Sequence, residues 1–192
     1  MALRGFVSVC LLAFSLAGAA PALRAQGGDA ELSGTLGWKT YVDADFGTAV
    51  DYPAELFAVE AGPPPRGSGR QFQTRDGRAK FTLYTLANDA RQSPGSYLRN
   101  HLLLNPDALD YARVTRRFFA ISGVRDQNVF YSRCNFSRLR SEPMRCIFLQ
   151  YPEDETEAWD DIVTRISLSL HAEASGVGMA SSRQDRQRRR RW

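Results

Sequence analysis

Lysine is nearly missing from this chain. Of 25 basic residues only Lys39 and Lys80 are lysines, and arginine carries the rest. That skew fits a codon bias, such as that of a GC-rich bacterial genome, better than a chemical role. Histidine is as scarce, with His101 and His171 alone, and cysteine occurs at Cys10, Cys134 and Cys146. Two distant histidines and two spaced cysteines make a poor zinc set. The sequence holds no nucleophile elbow, zinc-helix signature, cysteine–histidine motif or dinucleotide fingerprint. These absences leave a small globular domain without a recognisable catalytic or cofactor constellation, and no cofactor or metal is expected.

No apolar run is long enough to cross a bilayer comfortably. The longest, Phe6 to Leu16, falls short of the roughly 18 residues a span needs. It does follow Arg4 and precede Ala19, Ala20, Ala22 and Ala25. Positive, apolar, then small is the order of a secretory leader, with cleavage after Ala22 or Ala25. The competing reading, an uncleaved anchor, suffers from the same shortness. Cys10 lies inside the apolar region behind Val9, whereas a lipoprotein cysteine would close that region after a small residue. Residues 1–25 are therefore expected to be a signal peptide and the mature protein to be periplasmic or secreted. Removing the leader leaves Cys134 and Cys146, an even count that suggests a disulfide in an exported chain.

Residues 26–37 are small and polar, a flexible lead-in. The remaining length suits one domain, residues 38–173. Trp38, Tyr41 and Val42 begin it, with Trp38 more suited to packing than to serving as a ligand platform. The organising stretch is Asp45 to Phe57, expected to be the first strand. Phe46, Thr48, Val50 and Tyr52 share one face at strand spacing, Pro53 stops the run, and Leu56 and Phe57 give apolar anchors just past the turn. Gly62 to Gly69 reads as a loop. It is rich in glycine and proline but lacks the ending and the following helix of a phosphate-binding loop.

Arg70–Gln73 and Ala79–Leu86 read as strands joined at Asp76-Gly77, where both turn positions favour positive φ. Both faces of the second are partly apolar, as in a central strand covered on two sides. Ser93-Pro94 is a helix start, a capping serine then proline at the first helical position; this helix is expected to reach Leu104, with Tyr97, Leu98, His101, Leu102 and Leu104 on its apolar side. Tyr111–Arg117 and Phe118–Gly123 read as one long strand or a bent pair, with Arg116-Arg117 on a solvated face. Asn128–Phe136 and Met144–Tyr151 form the clearest hairpin. A turn centred on Arg140 sets Cys134 opposite Cys146, Ser132 opposite Phe148 and Phe130 opposite Gln150. A structural disulfide there outweighs a metal pair or a redox pair, since the spacing is not that of a redox motif.

From Pro152 a last helix is expected. Acidic residues fill its first turn, Trp159, Ile162, Val163, Ile166 and Leu170 line its packed face, and His171 stands at its end. Asp160 and Asp161 suit a solvated helix face better than a paired-carboxylate site.

The glycine, strand, Tyr52-Pro53 and large apolar pair Leu56-Phe57, followed by antiparallel strands, an inserted helix and a terminal amphipathic helix, resemble the PsbP-like family. This is the fold of an extrinsic photosystem II protein and of secreted bacterial domains. The likeness covers about Trp38 to His171. It implies an α+β fold, an antiparallel β-sheet with helices packed on it as an α/β/α sandwich. It implies no reaction, and it transfers no site residue, because a fold does not fix a function.

Residues 174–192 form a linker-like, low-apolar tail ending in Arg183, Arg186, Arg188, Arg189, Arg190, Arg191 and Trp192. The formal net charge is +4. Six tail arginines against Asp185, with Arg4 and Arg24 in the leader, leave the part between at about −3. The basic character thus belongs to the ends.

Three functions emerge as expectations. The first is a non-enzymatic exported binding or assembly module whose partner is an envelope or secreted protein. The second is a small hydrolase assembled around His101, Asp107 and a serine such as Ser132. The third is attachment to anionic lipid or lipopolysaccharide through the tail, whose tryptophan suits a membrane interface. Nucleic acid fits the charge alone and conflicts with export. If the tail attaches the protein, the mature chain binds anionic vesicles in a sedimentation assay, salt releases it, and deleting residues 174–192 abolishes binding. Binding unchanged by that deletion refutes the attachment.

Overall fold

A computed structural model describes residues 36–101 and 109–173. The leader, Leu102, Leu104, Asp107 and the arginine tail lie outside the described residues. In chain order the elements are β1 (Trp38–Val42), β2 (Thr48–Pro53), β3 (Val59–Gly62), β4 (Ser68–Gln73), β5 (Lys80–Leu86), α1 (Pro94–His101), β6 (Tyr111–Val114), β7 (Phe118–Arg125), β8 (Asn128–Asn135), β9 (Met144–Pro152), α2 (Thr156–Ser169) and β10 (His171–Ala172). They form an antiparallel seven-stranded sheet ordered β3-β4-β5-β9-β8-β7-β6 and an antiparallel three-stranded sheet ordered β1-β2-β10. With the two helices packed on these sheets, the fold is α+β.

Alternation along each strand sends successive side chains to opposite faces. On one face of the large sheet Phe72, Phe81, Leu83, Ile147, Leu149 and Tyr151 are buried beneath α2 and the small sheet. Helix α2 presents Trp159, Val163 and Ile166 at spacings of four and three, one helical stripe. Tyr151 stacks on Trp159 with ring centroids 5.1 Å apart, and the Trp159 indole N–H donates to Glu155 Oε2 at 3.1 Å. Each fully buried side chain of this size contributes about 1.5–3 kcal/mol, so this face supplies most of the stability. The opposite face carries a second cluster, with Tyr97 of α1 over Phe119, Phe136, Met144, Cys134 and Cys146.

Buried hydroxyls tie the two sheets together where the apolar core ends. Thr85 Oγ1 of β5 donates to Thr48 Oγ1 of β2 at 2.7 Å. The Ser68 hydroxyl lies 2.7 Å from Asp43 Oδ1 and 2.6 Å from Asp45 Oδ2; its single proton serves one carboxylate at a time.

The organising stretch is the second strand, not the first. It pairs in register with β1 as well as β10, and Phe46 lies exposed in the turn before it instead of on its face. Gly47, at φ +60°, makes that turn, closed by Gly47 N–H to Asp43 O and Asp43 N–H to Thr48 O. Residues 59–62 form edge strand β3, and the expected loop after it ends at Ser68, where β4 starts. The Asp76-Gly77 hairpin forms, but only Gly77 takes positive φ, because four residues separate Thr74 from Ala79. Tyr111–Gly123 is a hairpin, not a bent strand. Thr115 closes it with its backbone to Phe118 O and its hydroxyl oxygen to the Arg117 and Phe118 amides. A 3-10 turn, Glu153–Glu155, precedes α2. His171 belongs to β10 instead of the helix end and contacts Glu173.

The expected β8–β9 register holds. Cys134 pairs with Cys146, Ser132 with Phe148 and Phe130 with Gln150. A disulfide joins Cys134 and Cys146, whose Cα atoms are 4.1 Å apart. Closing so short a loop removes about 3 kcal/mol of unfolded-state freedom. Replacing both cysteines by alanine should therefore lower stability by about 3 kcal/mol in urea unfolding and the melting temperature by roughly 10 °C. A loss under about 1 kcal/mol would mean that the unfolded chain is already constrained there.

Candidate binding groove

Among the described residues, α1 covers only part of the second face of the large sheet. Its side chains form cross-strand rows set by the registers. Gly69, Tyr84, Cys146, Cys134 and Phe119 make one row. Gln71, Thr82, Phe148, Ser132 and Ile121 make the next, and Gln73, Lys80, Gln150, Phe130 and Gly123 the third. Helix α1 opens with a reciprocal cap. The Ser96 amide donates to Ser93 Oγ at 3.2 Å, and the Ser93 amide donates to Ser96 Oγ at 2.9 Å. Its Tyr97 stacks on Phe119 at 6.1 Å. Eight residues span about 12 Å, whereas five strands span about 19 Å between outer axes. Among the described residues the helix covers the first row; in the second and third rows Thr82, Ser132, Ile121 and Phe130 are buried, while Phe148, Gln150 and Lys80 keep exposed surface.

What remains is a groove of about 510 Å³, within the range of small-ligand sites. Ile121, Phe130 and Phe148 give it an apolar floor, with Thr82 and Ser132 between them and Tyr84 at the α1 margin. One wall is the Pro64-Pro65-Arg66 segment between β3 and β4, held by the Gln71 side-chain amide donating to Pro63 O at 2.6 Å. β4 lies so close to β5 there that a Cβ on Gly69 would meet the Leu83 carbonyl, so this position accepts only glycine. The far end is the two-residue turn between β7 and β8. Asp126 and Gln127 both sit in the left-handed region, at φ 52° and 60°, the twist that a tight hairpin requires. That turn sets the Arg125 guanidinium 5.9 Å from the centre of the Phe130 ring.

Among the described residues three cations line the groove, Arg66, Lys80 and Arg125, against a single acid, Asp126. Among the described residues none of the three cations forms an ion pair. Burial, and secondarily the neighbouring Tyr97, push the Tyr84 phenol up to about 12, while a hydrogen bond with Ser132 and the charge of Arg66 oppose the rise. Burial also raises Tyr97, again opposed by Arg66. At neutral pH both phenols are uncharged.

No protein-family model matches the chain, and no curated protein matches it. The groove must be judged by its own chemistry. Of the proposed hydrolase residues, Ser132 is buried on the floor, His101 is exposed and stacked on Tyr97 at 4.6 Å without lining the groove, and Asp107 lies outside the described residues. Cys134 and Cys146 form the bridge under α1. Trp38 packs beneath the Arg165 guanidinium at 4.0 Å. Asp160, Asp161, Arg116 and Arg117 are exposed. The polyanion candidates Arg183, Arg186, Arg188, Arg189, Arg190, Arg191 and Trp192 lie outside the described residues. Among those described, no three His, Cys, Asp or Glu side chains gather as a metal site, and no helix is long and apolar enough to cross a membrane.

The lining residues went unnoticed in sequence because only their parity marks them. Thr82 and Tyr84, Phe148 and Gln150, Phe130 and Ser132 share one face; β5 is covered on both faces for most of its length, as expected, and the groove lies along its Thr82–Tyr84 side.

The phenols give a direct test. Tyr84 and Tyr151 both titrate near about 12, Tyr151 raised by burial first and then by Asp160 and Tyr131. An unfolded tyrosine titrates near about 10. The folded state therefore holds these protons longer than the unfolded one. Their contribution is complete below pH about 10 and is lost as pH rises through about 12. Absorbance at the phenolate band should show late-titrating tyrosines, the latest of them lost one at a time with Tyr84→Phe and Tyr151→Phe. Titration of both at the unfolded value would contradict their burial.

Proposed function

We propose that the chain is an exported, non-enzymatic binding module, and that the partly covered face of its large sheet is the binding site. The observation that carries this reading is the groove itself, an apolar floor of Ile121, Phe130 and Phe148 between a proline-rich wall and a hairpin turn. A concave, largely apolar floor, partly exposed at Phe148 and rimmed with polar groups, is the usual lining of a small-ligand site. Among the described residues the side chains lining it include no histidine and a single carboxylate, a set better suited to holding a molecule than to transforming one. Export is supported by the leader pattern of residues 1–25, with cleavage after Ala22 or Ala25, and by the disulfide, which persists in oxidising compartments. The PsbP-like resemblance agrees with both the α+β fold and a binding or assembly role in the periplasm or outside the cell.

The neutral dye N-phenyl-1-naphthylamine, which brightens in apolar surroundings, tests the groove on the mature full-length protein. One saturable site is expected. Phe148→Ala should weaken it about fivefold, corresponding to about 1 kcal/mol of lost apolar contact. Gln150→Trp, which places an indole on the floor, should weaken it at least tenfold. Absence of saturable binding, or binding indifferent to both substitutions, would refute the groove as a ligand site.

A further inference from the structure

We propose that the groove selects an amphipathic organic anion, a small molecule with an apolar body and one carboxylate, phosphate or sulfonate group. This rests on the groove being the ligand site and adds what kind of ligand it takes. The part of the chain between leader and tail carries about −3, yet the described residues lining the groove set three cations against one acid. Local charge thus opposes the sign of the body around it. A cleft with low-dielectric walls focuses such a field, so an anion is drawn to this face and repelled by much of the rest.

The three cations are also placed to be used. Lys80 begins the row that continues through Gln150 to Phe130, and Arg125 lies over Phe130 at the far end of that row. Neither cation spends its charge in an ion pair among the described residues. Gln150 and Asn128, which also line this end, add amide donors for anion oxygens. Lys80 is one of only two lysines in a chain that otherwise uses arginine. Toward α1 the lining becomes apolar and aromatic, through Phe148 and Ile121 to Tyr84. Tyr84 is an uncharged phenol there at neutral pH. The ligand therefore lies with its anionic head between Lys80 and Arg125 and its apolar body along Phe148 toward α1. The volume suits a ligand of drug-like size.

Two dyes with one body separate this inference from the reading beneath it. N-phenyl-1-naphthylamine is neutral, and 8-anilinonaphthalene-1-sulfonate is the same ring system bearing a sulfonate. Both are titrated into the mature full-length protein, its Lys80→Gln/Arg125→Gln double variant and its Gln150→Trp variant, with circular dichroism checking each fold. The tail is present throughout, so any sulfonate signal it produces persists in Gln150→Trp and is subtracted. The sulfonate dye is expected to bind wild type about tenfold more tightly than the neutral dye. The double variant should erase that preference, weakening the sulfonate dye about tenfold more than the neutral dye. Equal affinities in wild type, or a preference that survives the double variant, would overturn the anion inference and leave the groove standing. Failure of both dyes to bind wild type, or binding of both to Gln150→Trp as tight as to wild type, would overturn the groove and the inference together.

Discussion

The pairing of β8 with β9 holds the large sheet in place. β9 is its middle strand, with β5 on one side and β8 on the other, and the Cys134–Cys146 bridge allows the β8–β9 pair one register. Because side chains alternate with period two, a slip by one residue would exchange the faces. Ile147 and Leu149 would leave the core under α2, and Phe148 and Gln150 would replace them. Core and groove are two sides of one alignment, so whatever secures the first positions the second.

The groove itself comes from unequal cover. One face of the sheet meets a fourteen-residue helix and a second sheet. The other meets an eight-residue helix anchored at one end by Tyr97. The strands below are apolar on both sides for much of their length, so the shortage lies in what covers them. Tyr84 marks the boundary, buried enough to keep its proton and yet part of the lining. The proline-rich wall and the Asp126-Gln127 turn then convert an uncovered surface into a concave one, and both bring arginine to it.

The features legible in the sequence were local or periodic. Ser93-Pro94 announces α1 because a cap needs only a few residues. The spacing of apolar residues from Trp159 to Leu170 gives α2, and the alternation on either side of Arg140 gives the register of the disulfide. The α+β class followed from these. Turns without glycine or asparagine stayed hidden. The β6–β7 hairpin turns at Arg116-Arg117 on a threonine hydroxyl, and the β7–β8 turn places aspartate and glutamine in a conformation those residues seldom adopt. β3 stayed hidden as well, since four residues ending in glycine carry almost no strand signal and gain their shape from pairing with β4. The groove was the least legible feature. Whether Thr82 and Phe148 face a helix or open space depends on how far α1 reaches across strands distant in the chain.

The two sulfurs of the disulfide sit where no solvent touches them, since both cysteines are fully buried beneath α1. A thiol reductant must reach a sulfur to attack it, and in the folded protein both cysteines are packed in one buried cluster with Tyr97 and Phe119. Cleavage must therefore wait for α1 to lift or for the sheet to open, events set by the local stability of that helix and not by the strength of the reductant outside. Once closed, the bridge is protected kinetically. Its oxidation state records the surroundings in which the chain folded and is slow to follow those it meets afterwards.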